Sequence, residues 1–398
     1  MGLIAENILN NIKPSPTLMA ESKARELKEQ GLPVISLCTG EPDFDTPDYI
    51  KKAAIEAINN GYTKYTASGG MKALKEAIVD KFKRENNLDY NINEVCACSG
   101  AKQVIYNTLL ASLNPGEEVI IPTPYWVSYP EMVKIVGGVP IIVACKNLSL
   151  DVEAIEKAIT PKTKWLMINS PNNPSGLVYS REELRALADM LLQYPHVYVL
   201  SDDIYEHLIY DQNKFYTLVE IEPSLRERVL IVNGVSKTYA MTGWRIGYAA
   251  GPAELIKTMS TVQSQSTSSP CSISQMAAIA ALNGPQDFVK EAKEAYDKRR
   301  MKTCELINKI PGLSCNLPQG AFYIFINCSA LFGKKTPKGL LLQNSDDVVD
   351  YLLDTVYLAV VSGRPFGGDG YLRISYATSD ANLVEACKRL TEACELLS

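Results

Sequence analysis

The chain has 398 residues, of which 46% are hydrophobic and 21% charged, with 40 Lys plus Arg against 45 Asp plus Glu. At about 150 residues per domain this length predicts two to three domains, and the ordinary apolar content excludes a disordered or collagen-like chain. The net charge of −5 argues against a nucleic-acid binder or a protein held on a membrane surface. Ten Cys and two His, His196 and His207, narrow the choice further. No Cys-x-x-Cys occurs, so neither a zinc site nor any other metal is assigned. The scattered Cys read as reduced thiols of a cytoplasmic protein. No Gly-x-Ser-x-Gly is present, which argues against a serine hydrolase of the α/β type. The N-terminal MGLIAENILNNIKPSPT lacks a basic segment before a long apolar core, and no apolar run reaches 18 residues. Neither a secretory signal nor a membrane span is expected.

Ser15-Pro16-Thr17 opens a helical pattern over 16–30 that stops at Gly31. After the loop TGEPDFDTPDYI, further helices are predicted over 48–60 and 70–86. Short β-branched runs then alternate with helical patterns: 94–98, 118–122, 139–144, 164–169, 196–201, 228–233 and 246–250. Apolar runs with little alternation, separated by helices, predict a mostly parallel sheet covered on both faces. Only about a dozen residues, without a convincing helix, join the sixth run to the seventh, so the seventh strand is expected to be antiparallel. A long helix is predicted over 285–309. The remainder reads as a smaller α+β unit: GLSCN, AFYIFIN, a polar loop, a helix over 346–355, strands near 357–361 and 371–376, and a final helix over 379–396.

In such a sheet ligands bind beyond the carboxyl ends of the strands. After the first run comes Ser99-Gly100-Ala101-Lys102, a small-residue turn that opens a helix and can cradle a phosphate on its N–H groups. After the second comes Trp126, able to stack on an aromatic ligand. After the fourth comes Ser170-Pro171-Asn172-Asn173-Pro174, where Asn-Pro is a candidate cis bond. After the fifth comes Ser201-Asp202-Asp203-Ile204-Tyr205-Glu206-His207; Asp203 is expected to cap a helix and His207 to be structural. After the sixth come Ser236-Lys237-Thr238 and Gly243-Trp244-Arg245-Ile246-Gly247. A phosphate cradle, an aromatic plate, a carboxylate, a phenol, a lysine and an arginine at one edge are the equipment for pyridoxal 5′-phosphate.

Here the sequence resembles the class I aminotransferases of the PLP-dependent transferase fold type I, nearest the bacterial aspartate and aspartate/prephenate aminotransferase subgroup. The resemblance runs from KPSPT through GEPDFDTP, TKYTASGG, PYWVSYPEM, NSPNNPSG, SDDIYEHL, SKTYAMTGWRIGYAAGP and GAFYIF to RISYATS. It implies an α/β fold with a mostly parallel seven-stranded sheet in a large domain, residues 48–300. A small α+β domain would combine 1–47 with 301–398. It implies that Lys237 carries the cofactor covalently and that Asp202 keeps the ring nitrogen protonated. Tyr205 and Asn173 would bond the cofactor's phenolic oxygen, and Trp126 would stack on its ring. Arg245 and the Gly100-Ala101-Lys102 turn would hold the phosphate, and Ser236 would also contact the cofactor. Arg373 would clamp the substrate α-carboxylate, helped by Asn173 and the Gly40 backbone.

Tyr65 would reach the phosphate of a neighbouring subunit, making a homodimer the functional unit. The partner-chain arginine of other aspartate aminotransferases has no match in SQSTSSPCS. In the subgroup a lysine of the Lys-Pro-Ser segment reads the side-chain carboxylate, and Lys13 matches it. The implied activity moves the amino group of L-aspartate to 2-oxoglutarate, with prephenate or aromatic acids as further substrates. C–S β-lyases and cyclopropane-forming synthases share Lys237 and Asp202, and product analysis distinguishes them.

Overall fold

The computed structural model describes residues 12–398. The reading of the extreme N-terminus falls on residues 1–11, outside the described residues. Among the described residues twelve strands occur in chain order: β1 (Ile35–Ser36), β2 (Val95–Cys98), β3 (Glu118–Pro122), β4 (Val139–Val143), β5 (Thr163–Asn169), β6 (Tyr198–Asp202), β7 (Val229–Gly234), β8 (Gly247–Ala250), β9 (Tyr323–Asn327), β10 (Leu358–Ala359), β11 (Val361–Ser362) and β12 (Tyr371–Ser375).

Seven of them form one sheet in the order β2-β8-β7-β6-β5-β3-β4. Five neighbours, β3 to β7, run parallel, whereas β8 is antiparallel to both β7 and β2. The connection into β8 holds only a short turn, Thr242–Trp244, and cannot make the crossover that a parallel return requires. Side chains alternate faces along each strand. Leu166, Ile168, Val229 and Ile231 join one hydrophobic cluster, and Trp165, Met167, Leu230 and Val232 join the other. Both faces are covered by helices, so both sets are apolar and the strands show no polar alternation. Val139 and Ile142 of the edge strand β4 remain exposed.

A second, smaller layer joins the two halves of the chain. β9, β11 and β12 form an antiparallel sheet, and β1 pairs with β10. The single strand expected at 357–361 is two strands in different sheets, because β10 takes β1 as its partner while β11 takes β12. GLSCN contributes only an isolated bridge, Ser314 to Asn327. After β6 the residues Asp203–His207 form hydrogen-bonded turns rather than a helix, so Asp203 caps nothing; its carboxylate accepts from Ser201 Oγ at 2.7 Å. Among the described residues no helix is long and apolar enough to cross a membrane.

Two glycines let β8 approach the turn that follows β2. Gly100 has φ +95°, and a Cβ there would collide with Arg245 Nη2. A Cβ on Gly247 would collide with Ala101 N and Gly100 C, both backbone atoms with little room to yield. Gly247→Ala should lower stability in urea unfolding by about 1–3 kcal/mol through overpacking. Gly243→Ala, where nothing lies within 4 Å, should stay within about 0.5 kcal/mol.

Candidate active site

The strand ends open into a cleft of about 490 Å³ whose walls come from both layers. Wider surface depressions of about 540 and 690 Å³ exist, but no buried charged side chain lines them. In the cleft, Lys237, Asp202, Tyr205, Asn173, Trp126 and Ser236 meet Ala101, Lys102, Arg245, Gly40 and Arg373.

One end is built to take an anion. The helix Ala101–Ser112 starts at Gly100 with no side-chain cap, so its first N–H groups are open to a ligand. Ser99 N donates to Gln103 Oε1 at 2.7 Å, which fixes the turn. Arg245 reaches the same turn, donating to Ser99 O at 3.3 Å and Thr242 O at 2.9 Å. Its partners are carbonyl oxygens, so its charge is not neutralised by a carboxylate. Lys102 Nζ lies 4.8 Å from the Trp126 ring centroid. Burial and then the nearby Arg245 lower the Lys102 pKa.

The middle holds the acid and the amine. Asp202 ends β6 and is buried; its Oδ2 accepts from Tyr129 OH at 2.7 Å and its Oδ1 from Ile204 N at 3.4 Å. Burial pushes its pKa up to about 6, against the bonds from Tyr129 and Ile204. Lys237 Nζ donates to Gly40 O at 2.5 Å. Burial lowers its pKa to about 8, and Arg245 and Arg373 push the same way against Glu41 and Asp202. An amine in this state is available as a nucleophile and a base near neutral pH.

The other end holds Arg373, from β12, at 2% exposure. It donates to Cys38 O and to Asn173 Oδ1 (3.3 Å), and its Nε has no partner. Its guanidinium lies 4.7 Å from the Tyr323 ring and 5.2 Å from the Phe366 ring. Asn173 in turn is fixed by its N–H, which donates to Asn169 Oδ1 at 2.8 Å. The Asn173-Pro174 bond is cis, as are Ser170-Pro171 and Thr123-Pro124.

Three expected residues do not line the cleft: Gly100, whose turn reaches it through Ala101, and two that lie apart. Tyr65 is 93% exposed and lies away from the cleft. Lys13 is exposed, its backbone N–H donates to Glu131 Oε2 at 3.0 Å, and it does not line the cleft. Other residues contribute without having been singled out. Tyr129 bonds Asp202, and its place three residues after Trp126, one helical turn on, was a usable signal. Tyr323 OH lies 2.7 Å from Tyr205 OH, so the phenol expected to face a cofactor has a second phenol behind it. Ser15, Thr17 and Leu18, at the start of the helix Pro16–Glu29, also line the cleft; only the folded chain shows that.

The family model for aminotransferase class I and II matches residues 33–390. A probable aspartate/prephenate aminotransferase of Rickettsia felis is 55% identical over 393 residues, 98% of this chain and 96% of the relative. The crystal structure of the aspartate aminotransferase of Rhizobium meliloti superposes with a TM-score of 0.97 at 51% identity, covering 100% of both chains. The aspartate aminotransferase of Thermus thermophilus, solved with maleate, gives 0.92 at 42% identity, covering 99% of this chain and 100% of that one. With its lysine, carboxylate and arginine gathered in one cleft, the chain belongs to the class I and II aminotransferase family.

Proposed function

We propose that this chain transfers the amino group of L-aspartate to 2-oxoglutarate, yielding oxaloacetate and L-glutamate, with pyridoxal 5′-phosphate in the cleft. The observation that carries this reading is a buried guanidinium, Arg373, bonded only to neutral oxygens and with its Nε free, in the same cleft as an amine held at about pKa 8. The residues fit the cofactor. A dianionic phosphate suits the uncapped helix start and Arg245. A protonated ring nitrogen suits Asp202, a buried carboxyl with no cation bonded to it. A flat ring suits the Trp126 wall.

When bound, the cofactor supplies an electron sink for the bond broken at the substrate Cα. Asp202 would hold the ring nitrogen protonated and would itself stay ionised beside that charge. Lys237, freed as a neutral amine when the substrate amine takes its place, would accept the Cα proton at Nζ and hand it on. Arg373 grips the α-carboxylate with two parallel N–H groups, and Asn173 holds that fork in register. Donor and acceptor acids use the site in turn, so the kinetics are ping-pong.

The second carboxylate of aspartate needs a cation. Lys13 matches the subgroup, but Lys102 is the lysine at the cleft wall besides Lys237. The Thermus relative was solved with maleate, a dicarboxylate. The relative named for prephenate makes that acid the second acceptor to assay. We also divide the chain into a large domain, 48–300, and a small one, 1–47 with 301–398. A second copy would cover Tyr65 and the exposed Ile55, Ile58 and Tyr62, completing a homodimer. Ten unpaired thiols favour the cytoplasm.

Aspartate mixed with 2-oxoglutarate should give oxaloacetate and glutamate in equal amounts; pyruvate with ammonia would make the chain a lyase instead. Arg373→Lys should raise KM for both acids by about 10- to 100-fold, since lysine cannot reproduce a two-pronged grip. Lys102→Ala should raise KM for aspartate more than for monocarboxylic amino acids, and the same selective loss in Lys13→Ala would return the role to Lys13. Asp202→Asn should slow transamination by on the order of 10³-fold or more, a loss of several kcal/mol. Because burial raises the Asp202 pKa, its share of stability is full below about pH 4 and lost as pH rises through about 6. Urea unfolding of the cofactor-free chain should therefore show Asp202→Asn more stable than wild type at pH 8, by about 3 kcal/mol, and no such gain near pH 4.

A further inference from the structure

Behind the cleft lies an ion cluster that lines none of it, with Lys81 and Glu206 buried, His207 half-buried and Glu85 at the surface. Lys81, from the helix Lys72–Asn86, is fully buried. Its Nζ donates to Asn86 Oδ1 at 2.7 Å, pairs closely with Glu206 Oε1 and lies 3.7 Å from Glu85 Oε2. Glu206 also accepts from Asn86 Nδ2 at 2.9 Å and from Asn233 Nδ2 at 2.7 Å. The two ring nitrogens of His207 lie 2.9 Å from Glu85 Oε2 and 3.1 Å from Thr238 Oγ1. Glu85, Glu206 and His207 have the spacing of a metal site, but the Lys81 ammonium sits against both carboxylates as a built-in cation. Burial raises the pKa of both acids, yet their cationic neighbours outweigh it: Glu85 is held at about 2 and Glu206 below its usual range. Burying the Lys81–Glu206 pair is costly, and what it fastens is specific. Asn233 is four residues before Lys237, and Thr238 is the residue after it. Glu206 and His207 directly follow Tyr205. The backbone adds one tie, from Asp203 N to Val232 O at 2.9 Å.

We propose that His207 is a positioning residue for Lys237, acting through the Thr238 hydroxyl and anchored by the Lys81–Glu85–Glu206 cluster. This rests on the reading that Lys237 carries the cofactor. The cluster clamps the lysine loop at both ends to the turn bearing Asp202 and Tyr205, so the amine and its partners move as one body. A small displacement of a reacting group costs rate rather than binding.

The test adds pyridoxal 5′-phosphate to the full chain. It follows by absorbance the joining of the lysine amine to the aldehyde, with loss of one water. His207→Phe and Thr238→Val cut the same tie from its two ends. Each should slow attachment on the order of tenfold and lower kcat similarly, with KM for 2-oxoglutarate within about twofold. The double variant should be no slower than the slower single, since the two residues form one contact. His207→Gln, which keeps a hydrogen-bonding side chain, should recover most of the rate. If His207→Phe does not fold, the nearly isosteric Thr238→Val decides alone. Wild-type attachment and kcat in a folded variant with a lowered melting point, or losses that multiply in the double, would overturn the proposal. A wild-type chain that gains no cofactor absorbance would refute the cofactor reading, and this inference with it.

Discussion

Everything in the cleft depends on positive charges set close together that outnumber the protein's own acids there. Lys237, Lys102, Arg245 and Arg373 share one small volume, and the hydrogen bonds of both guanidinium groups go to neutral oxygens. Such an arrangement is unfavourable until anionic ligands arrive. It also creates reactivity, because burial and neighbouring cations together drive the Lys237 pKa down to about 8. The single acid at the cleft's centre, Asp202, is buried away from any cation that bonds it and is pushed the opposite way. Two titratable groups with pKa values moved toward neutrality in one site are a physical mark of proton-transfer chemistry.

The fold holds this unfavourable arrangement together by spreading the work. β6 and β7 run parallel side by side and deliver Asp202 and Lys237 to the same edge. β8 returns antiparallel and, at two glycines, lets the Arg245 loop touch the helix start after β2. Arg373 comes from the other layer, on β12, and is steadied by Asn173 of the loop after β5. The site therefore exists only when both layers are assembled, and the cluster behind the lysine is part of the same economy of rigid support.

Much of this was legible in the chain. The sheet could be read because its strands are buried on both faces and so run apolar without alternation. The antiparallel strand could be read because twelve residues without a helix cannot make a parallel return. The location of the cleft could be read because most of its unusual residues sit at or just beyond the end of a strand. What escaped were relations that sequence spacing does not encode. Tyr323 meets Tyr205 across 118 positions. The segment 358–362 splits between two sheets because its partners lie at residues 35–36 and 372–373. The run Asp203–His207 lacks a helix because its carboxylates and ring turn inward to Ser201, Asn233 and Thr238. Lys13 and Tyr65 match family positions in sequence, yet a single chain leaves both in solvent.

One particular amine, made reactive by its buried cationic surroundings, should carry the cofactor. Borohydride reduction of the chain loaded with pyridoxal 5′-phosphate, followed by peptide mass spectrometry, locates the attachment. One phosphopyridoxyl group per chain, on Lys237, is expected. A label on Lys102 or scattered over surface lysines, with Lys237 unmodified, would contradict it.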